Sequence, residues 1–257
     1  MLQYERFKNI QEITISKKFV TVDELCEMLK MSKATIRRDL KILEKEGKIT
    51  RTHGGAASDK VEKEIEETPY SITSKININE KTRIGIAAAN HIKAGSNVIF
   101  DAGTTIIKAA EKLALNIDYE VMATTHDLKV ALELSKNESI KLTIAGGTRR
   151  KGFYVVTGYF TQYMLDKMHF DMAFLGFDAL SPQLGCMTCS VEEVALKKII
   201  NKSSSYKIAL CDHTKFLSQA QFVVCDLSEI NLIITGKELD EKIAKQILEM
   251  GIKLELV

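Results

Sequence analysis

Two sets of residues in this sequence have the types and spacing to do chemistry. The first is a run of cations, Arg37, Arg38, Lys41 and Lys45. Wound into a helix at about 100° per residue, Ala34, Arg38, Lys41 and Lys45 share one face, Ile36, Leu40 and Leu43 share the opposite one, and Thr35 and Arg37 flank them. Small residues near the start of such a helix let it approach the DNA major groove, where Arg grips guanine edges or phosphates. The bland alternative is a solvated basic helix face. The second set is a series of polar or glycine-rich segments that follow apolar stretches: Asp101-Ala102-Gly103-Thr104-Thr105, Thr124-Thr125-His126, Gly146-Gly147-Thr148-Arg149 and Asp212-His213-Thr214-Lys215, with Asp171 opening and Gly176 closing one further stretch. Glycine and hydroxyl residues where a strand turns into a helix offer N–H and O–H donors to an anion. Lys215 adds a point charge for phosphate, and Asp101 and Asp171 add acceptors for sugar hydroxyls. Taken singly, each has a plainer reading: a steric glycine, a helix-capping Thr, or Gly146-Gly147 as a turn.

The first set needs a small helical unit to hold it. Leu2–Lys17 reads as a helix with Phe7 and Ile10 on one face. Thr21 and Glu24 make a capping box for a short second helix carrying Val22, Leu25 and Leu29. Ser32 caps the basic third helix, which runs to about Lys45 and stops at Gly47. Lys48–Thr52 alternates as the first strand of a β-wing. Asp39 falls near the buried side, where an ion pair to an Arg is its expected role. Residues 1–56 are therefore expected to be a winged helix-turn-helix, and 57–69 a linker.

The second set needs a sheet. From Arg83 onward apolar strands alternate with helices: helix Arg83–His91, strand Val98–Asp101, helix Thr105–Ala114, strand Glu120–Thr124, and so on to a last strand at Lys253–Val257. This alternation predicts an α/β domain over 70–257, with a mainly parallel sheet covered by helices on both faces. The polar segments then gather beyond the carboxyl ends of the strands, where such folds bind ligands.

Composition agrees with a soluble protein of two domains. The chain has 257 residues, 45% hydrophobic and 27% charged. Residues 1–56 hold 12 Lys/Arg against 8 Asp/Glu, a net +4, and residues 57–68 carry a net −3; a basic head before an acidic strip points to a polyanionic partner. No signal-peptide pattern and no membrane-spanning apolar run is visible, so a cytoplasmic location is expected. Five scattered cysteines fit a reducing compartment. Cys186 and Cys189 form a lone C-x-x-C with no second pair or nearby His, and no metal or cofactor is expected.

The motifs Thr35-Ile36-Arg37-Arg38-Asp39-Leu40, Leu43-Glu44, Gly47 and Arg51-Thr52-His53-Gly54-Gly55-Ala56 resemble the signature of the DeoR family of bacterial transcription regulators. The strand-end segments, in their order, resemble that family's sensor domain, which is similar in fold to ribose-5-phosphate isomerase. The likeness spans nearly the whole chain. It implies DNA-contact roles for Ser32, Lys33, Thr35, Arg37 and Arg38, with Arg51 and His53 at the wing. It implies a phosphorylated sugar or related phosphometabolite as effector, held near Lys81, Asp101, Gly103, Thr104, Thr105, Gly146, Gly147, Asp171 and Lys215, with Thr124 on a neighbouring strand end. Three positions depart from the family's usual residues: Thr125 for Asn, Leu217 for Gly and Gly236 for Asp. The expected function is a sequence-specific DNA-binding regulator, a repressor of a carbohydrate operon, binding an operator as a homo-oligomer. Two other readings are open. One is a sugar-phosphate isomerase using Asp171, Glu192 and Lys215. The other is an architectural DNA-binding protein whose large domain only oligomerises.

Overall fold

The computed structural model describes residues 3–17, 19–46, 48–52, 54–57 and 67–257. Gly47, His53 and the greater part of the expected linker, 58–66, lie outside the described residues. Two compact units meet at one peptide bond, Met1–Ile76 and Asn77–Val257.

The first unit runs α1 (Gln3–Lys17), β1 (Phe19–Thr21), α2 (Val22–Leu29), α3 (Lys33–Lys45), β2 (Thr50–Thr52), β3 (Gly55–Ala57) and a short α4 (Tyr70–Thr73). Its core joins Ile10, Ile13, Leu25, Ile36, Leu40 and Leu43 with Ile72 and Ile76. The capping box on α2 forms: Thr21 Oγ1 accepts from Glu24 N (3.2 Å), and Glu24 Oε2 accepts from Thr21 N (2.8 Å). The wing is a three-stranded antiparallel sheet in the order β1-β3-β2, not a bare hairpin. Its third strand, β1, is too short to leave a periodic pattern. The segment 67–76, expected to divide between linker and large domain, belongs to this unit because Ile72 and Ile76 are buried in its core.

The second unit runs α5 (Ile78–Asn90), β4 (Asn97–Phe100), α6 (Thr104–Asn116), β5 (Val121–Thr125), α7 (Leu128–Leu134), β6 (Ile140–Ile144), β7 (Thr148–Arg149), β8 (Val156–Thr157) and α8 (Tyr159–Asp166). It continues with β9 (Phe170–Leu175), β10 (Ala179–Ser181), β11 (Gly185–Thr188), α9 (Val191–Ser203), β12 (Ser204–Leu210), β13 (Phe222–Cys225), β14 (Leu232–Thr235), α10 (Glu241–Glu249) and β15 (Lys253–Leu256). Seven strands form one wholly parallel sheet in the order β15-β14-β12-β9-β4-β5-β6. Alternate residues of each strand feed opposite cores. Val98, Phe100 and Phe174 pack under α5, α6 and α7, while Ile99, Ala173 and Leu175 pack under α8, α9 and α10. Burial on both faces explains the nearly continuous apolar strands.

Two small antiparallel sheets were not anticipated from the sequence. One joins β10, β11 and β13, and the other is the β7–β8 hairpin. Both consist of short strands inside stretches whose helix-strand alternation masks them. The C-x-x-C breaks up here: Cys186 is buried in β11 opposite Cys225, Cys189 lies past the strand, and all five cysteines are free thiols. Among the described residues no helix is long and apolar enough to cross a membrane.

Candidate DNA interface and effector site

Helix α3 carries the first constellation. Ile36, Asp39, Leu40 and Leu43 are buried and Ala34, Arg37, Arg38, Lys41 and Lys45 are exposed, so the helix presents a basic face. Ser32 caps it, with Oγ accepting from Thr35 N (3.2 Å) and contacting Thr35 Oγ1 (2.9 Å). Asp39 pairs with Arg6 of α1 through a two-point contact, one arm of it Nη2 to Oδ1 at 3.1 Å. The buried carboxylate thus ties α3 to α1 and takes no cation from the exposed face. Lys33 pairs with Asp23 (2.7 Å) and Arg51 with Glu44 (3.5 Å), both at the surface. Between α2, α3 and the wing lies a cleft of about 350 Å³ lined by Thr21, Lys33, Arg37, Arg51, Thr52 and the Gly54-Gly55 backbone, among others. Cationic walls and backbone groups of this kind suit the phosphate flank of a helix seated in the major groove.

The second constellation lies at the carboxyl edge of the parallel sheet. From β4 the chain proceeds through β5 to β6 on one side, while β9, β12, β14 and β15 lie on the other. The switch point is therefore between the ends of β4 and β9, where an open α/β sheet leaves a crevice. Helix α6 begins there at Gly103, with no side chain capping its first turn, at Thr104 and Thr105. Its leading N–H groups are left for a ligand or for water.

Under the switch point sits a closed charge network. Asp101 is fully buried, and its Oδ2 accepts from Lys197 Nζ (2.5 Å) and Gly176 N (3.1 Å). Lys197 also donates to Gly176 O (2.7 Å). His126 Nε2 meets Asp101 Oδ1 at 3.0 Å, and its Nδ1 meets Val156 O at 3.0 Å. Both ring nitrogens therefore face acceptors, an arrangement that the imidazolium satisfies. Burial alone would lower the His126 pKa, but Asp101 outweighs it and the pKa is raised. Burial likewise acts to raise Asp101, and Lys197 and His126 hold it well below the usual carboxylate range. Arg150, on the β7–β8 hairpin, reaches Glu193 at 2.5 Å and Glu192 at 3.3 Å.

A second cluster stands at the ends of β12 and β14. Asp212 Oδ1 accepts from Asn77 Nδ2 (3.1 Å), Thr214 N (3.2 Å) and Thr214 Oγ1, and Oδ2 lies 3.7 Å from Lys81 Nζ. Glu80 accepts from His213 N (2.7 Å) and Gly236 N (3.2 Å) and contacts His213 Nδ1 (2.8 Å). Glu80, Asp212 and His213 lie close enough to share a cation. Their facing atoms are already engaged, however, and Lys81 and Lys215 bring positive charge, so the set favours an anion. Burial lowers the Lys81 pKa to about 8, with Asp212 opposing and Lys215 adding to the fall. Lys215 is half-buried and makes no ion pair among the described residues. Burial would lower its pKa, but Asp178 and Asp212 raise it.

Several expectations need correcting. Asp171 is the second residue of β9, at the amino edge of the sheet, where its exposed Oδ2 accepts from Asn97 N (2.9 Å). It stands at the opposite end from Lys215, so the set required of an isomerase is not assembled. Asp101 has no exposed surface and supports the crevice instead of offering acceptors to a sugar. Thr124 is 2% exposed within β5, between Ile99 and Thr143. Gly146 and Gly147 follow the edge strand β6; Gly146 O accepts from Thr161 Oγ1 (2.8 Å), and a Cβ at Gly147 would fall 2.2 Å from that hydroxyl and 2.6 Å from Thr157 O. This pair packs the start of α8. The departures at 217 and 236 also gain a reason. Leu217 has φ −100, open to any residue, and a Cβ at Gly236 would fall 2.3 Å from Glu80 Oε1. Glu80 occupies the space where an Asp side chain would begin.

Lys197 and Arg150 were missed in the sequence; His126 stood among the polar strand-end segments, but its partner Asp101 did not show there. The sequence trace of Lys197 is its i, i+4 spacing from Glu193, since it meets Asp101 across 96 positions.

Comparison with known proteins accords with both halves. A model of the DeoR C-terminal sensor domain matches residues 76–237, and a model of the DeoR-like helix-turn-helix domain matches residues 6–62. The HTH-type transcriptional regulator GlpR of Haloferax volcanii is 32% identical over 253 residues, 98% of this chain and 97% of its own length. The HTH-type transcriptional repressor GlcR of Bacillus subtilis is 32% identical over 237 residues, 92% of this chain and 90% of its own. The glycerol-3-phosphate regulon repressor of Escherichia coli is 28% identical over 256 residues, covering both chains fully. Ribose 5-phosphate isomerase A of Methanocaldococcus jannaschii aligns in structure over 55% of each chain, at 17% identity and a TM-score of 0.42. The chain thus belongs to the DeoR family and is a DNA-binding transcription regulator.

Proposed function

We propose that this regulator represses an operon of carbohydrate or polyol-phosphate metabolism, and that a phosphorylated sugar or related phosphometabolite bound at the carboxyl edge of the parallel sheet relieves repression. The observation that carries the effector is Lys215. It is half-buried at a strand end and without an ion pair among the described residues, whereas Lys81, Lys197 and Arg150 each have one. The uncapped start of α6 at Gly103, Thr104 and Thr105 supplies N–H groups on the same edge. A relative that is named a glycerol-3-phosphate regulon repressor supports the same ligand chemistry.

On DNA, α3 enters the major groove. Arg37 and Arg38 read bases, Ser32, Lys33 and Thr35 hold the backbone, and Arg51 with His53 contacts it from the wing. Paired heads of a homo-oligomer bind repeated half-sites, and the protein acts in the cytoplasm. The test is thermal unfolding of the full chain with sugar phosphates, the matching free sugars and inorganic phosphate. A ligand at 100 times its Kd adds about 2.7 kcal/mol of stability, and each kcal/mol is worth roughly 2–4 °C for a protein of this size. A shift with one sugar phosphate, absent with its free sugar and lost in Lys215→Ala, is expected. No shift across the panel would leave the second unit as an oligomerisation domain.

A further inference from the structure

The Lys81–Asp212–Lys215 cluster has a tie that anion recognition does not require. Asn77 opens α5, and its backbone is left-handed (φ 53, ψ 36), one of two such residues other than glycine among those described. Asn tolerates this conformation better than most residues. Its side chain makes no cap bond to the helix it opens; Nδ2 turns instead to Asp212 Oδ1, at 3.1 Å. Asn77 O accepts the first helical hydrogen bond, from Lys81 N (2.9 Å). The residue is therefore held twice, by backbone to Lys81 and by side chain to Asp212.

Asn77 is also where the second unit begins. The residue before it, Ile76, is 7% exposed in the core of the DNA-binding unit. No slack chain separates an anchored core residue from a residue bonded into the cation cluster. We propose that Asn77 couples occupancy of the Lys81–Asp212–Lys215 cluster to the DNA-binding unit, through its hydrogen bond to Asp212 and the left-handed backbone turn that the bond secures.

The inference rests on the effector reading above. Asp212 is the shared element. Its two oxygens divide between Asn77 with Thr214 on one side and Lys81 on the other. An anion that draws the Lys81 ammonium toward itself leaves Asp212 with less positive charge on Oδ2. The carboxylate, still held by Thr214, can then turn about those bonds, and Asn77, which shares Oδ1 with Thr214, is the residue at the unit boundary that follows it. An effector shifts an equilibrium only through unequal affinity for two states. Asn77 supplies the inequality if its turn differs between them.

The test uses the full chain, DNA fragments selected by the wild-type protein from a random pool, and three probes: glucose 6-phosphate, glycerol 3-phosphate and inorganic phosphate. Probe affinity is read by calorimetry, and DNA affinity is read with and without saturating probe. Wild type should lose DNA affinity by a factor in the allosteric range, about 5- to 150-fold. Asn77→Gly keeps the backbone freedom and removes the amide. It should bind probe within twofold of wild type and still bind DNA, but its change on adding probe should collapse toward onefold. Asn77→Asp tolerates the same turn and sets a like charge against Asp212; its added charge weakens probe binding, so it is read at saturating probe, where its change in DNA affinity should also collapse toward onefold, which guards against a folding artefact in either variant. A full wild-type response in both variants would overturn the coupling role. So would loss of probe binding in Asn77→Gly, because Asn77 would then belong to the ligand site itself. If no probe binds wild type, the effector reading fails first, and this inference with it.

Discussion

Arg37 and Arg38 are exposed on α3 with no ion pair among the described residues, whereas the next residue, Asp39, is buried and consumed by Arg6. Each Arg is thus available to bases or phosphates without first breaking an internal bond. Replacing either with Ala is expected to cost about 1–3 kcal/mol of operator binding if it makes a bidentate base contact, read by fluorescence anisotropy at fixed salt. Lys33 differs because it sits on Asp23 at the surface. Lys33→Ala should weaken binding to all sequences alike and reduce the salt slope by about 1; a sequence-dependent loss would move Lys33 into base reading. At the effector site proposed for the second unit, Lys81 is expected to make ligand affinity depend on pH. Its pKa is lowered to about 8, and an anion bound beside it raises that value. Affinity for a sugar phosphate should therefore be flat from about pH 7, where the phosphate is largely dianionic, to about pH 8. Above that it should fall by about tenfold per unit as the free protein loses the proton that the complex keeps. Titration calorimetry between pH 7 and 9.5 reads this directly, and a flat profile to pH 9.5 would remove Lys81 from the site.

Individual elements depend on a few contacts. Helix α3 starts on Ser32, and Ser32→Ala removes the acceptor for Thr35 N; a loss of about 0.5–2 kcal/mol is typical of such caps and would appear in denaturant unfolding of the first unit. Helix α9 is moored to β4 and β9 by one buried ammonium. Lys197→Met would leave Asp101 charged and buried beside His126 alone. Breaking one side of a buried pair costs about 3–5 kcal/mol, so urea unfolding should show a loss of that size. The double change Asp101→Leu with Lys197→Met should recover part of it, since an apolar pair leaves no orphaned charge. Recovery of nothing would mean that the packing of the two side chains outweighs their charge. The edge-to-face pair Phe100–Phe174, with ring centroids 5.2 Å apart, lies just below Asp101 on the adjoining strands and keeps them in register.

For the molecule as a whole, the division at Ile76 predicts which fragment of the head is the more stable. A fragment 1–57 ends with the wing, whereas 1–76 also contains Ile72, which lies beside Ile13 and Leu29, and Ile76, which is buried in the same core. The longer fragment should be the more stable, because emptying a buried Ile position costs about 2–5 kcal/mol. Equal melting temperatures for the two fragments would return the segment 67–76 to the role of linker.

Much of this was legible from local sequence. The apolar phase of Ile36, Leu40 and Leu43 determined which side of α3 is basic, and Thr21 with Glu24 determined where α2 begins. Both depend on contacts within one or two helical turns. The alternation of apolar strands with helices determined a parallel sheet, because only a crossover connection joins parallel neighbours. That Asp101 needs Lys197 and His126, that Asp171 stands at the wrong end of its strand for a ligand, and that Ile72 and Ile76 belong to the head were decided by tertiary structure alone. A residue's type states what it can bond, but a partner 96 positions away is supplied only by the strand order that brings two loops to the same edge.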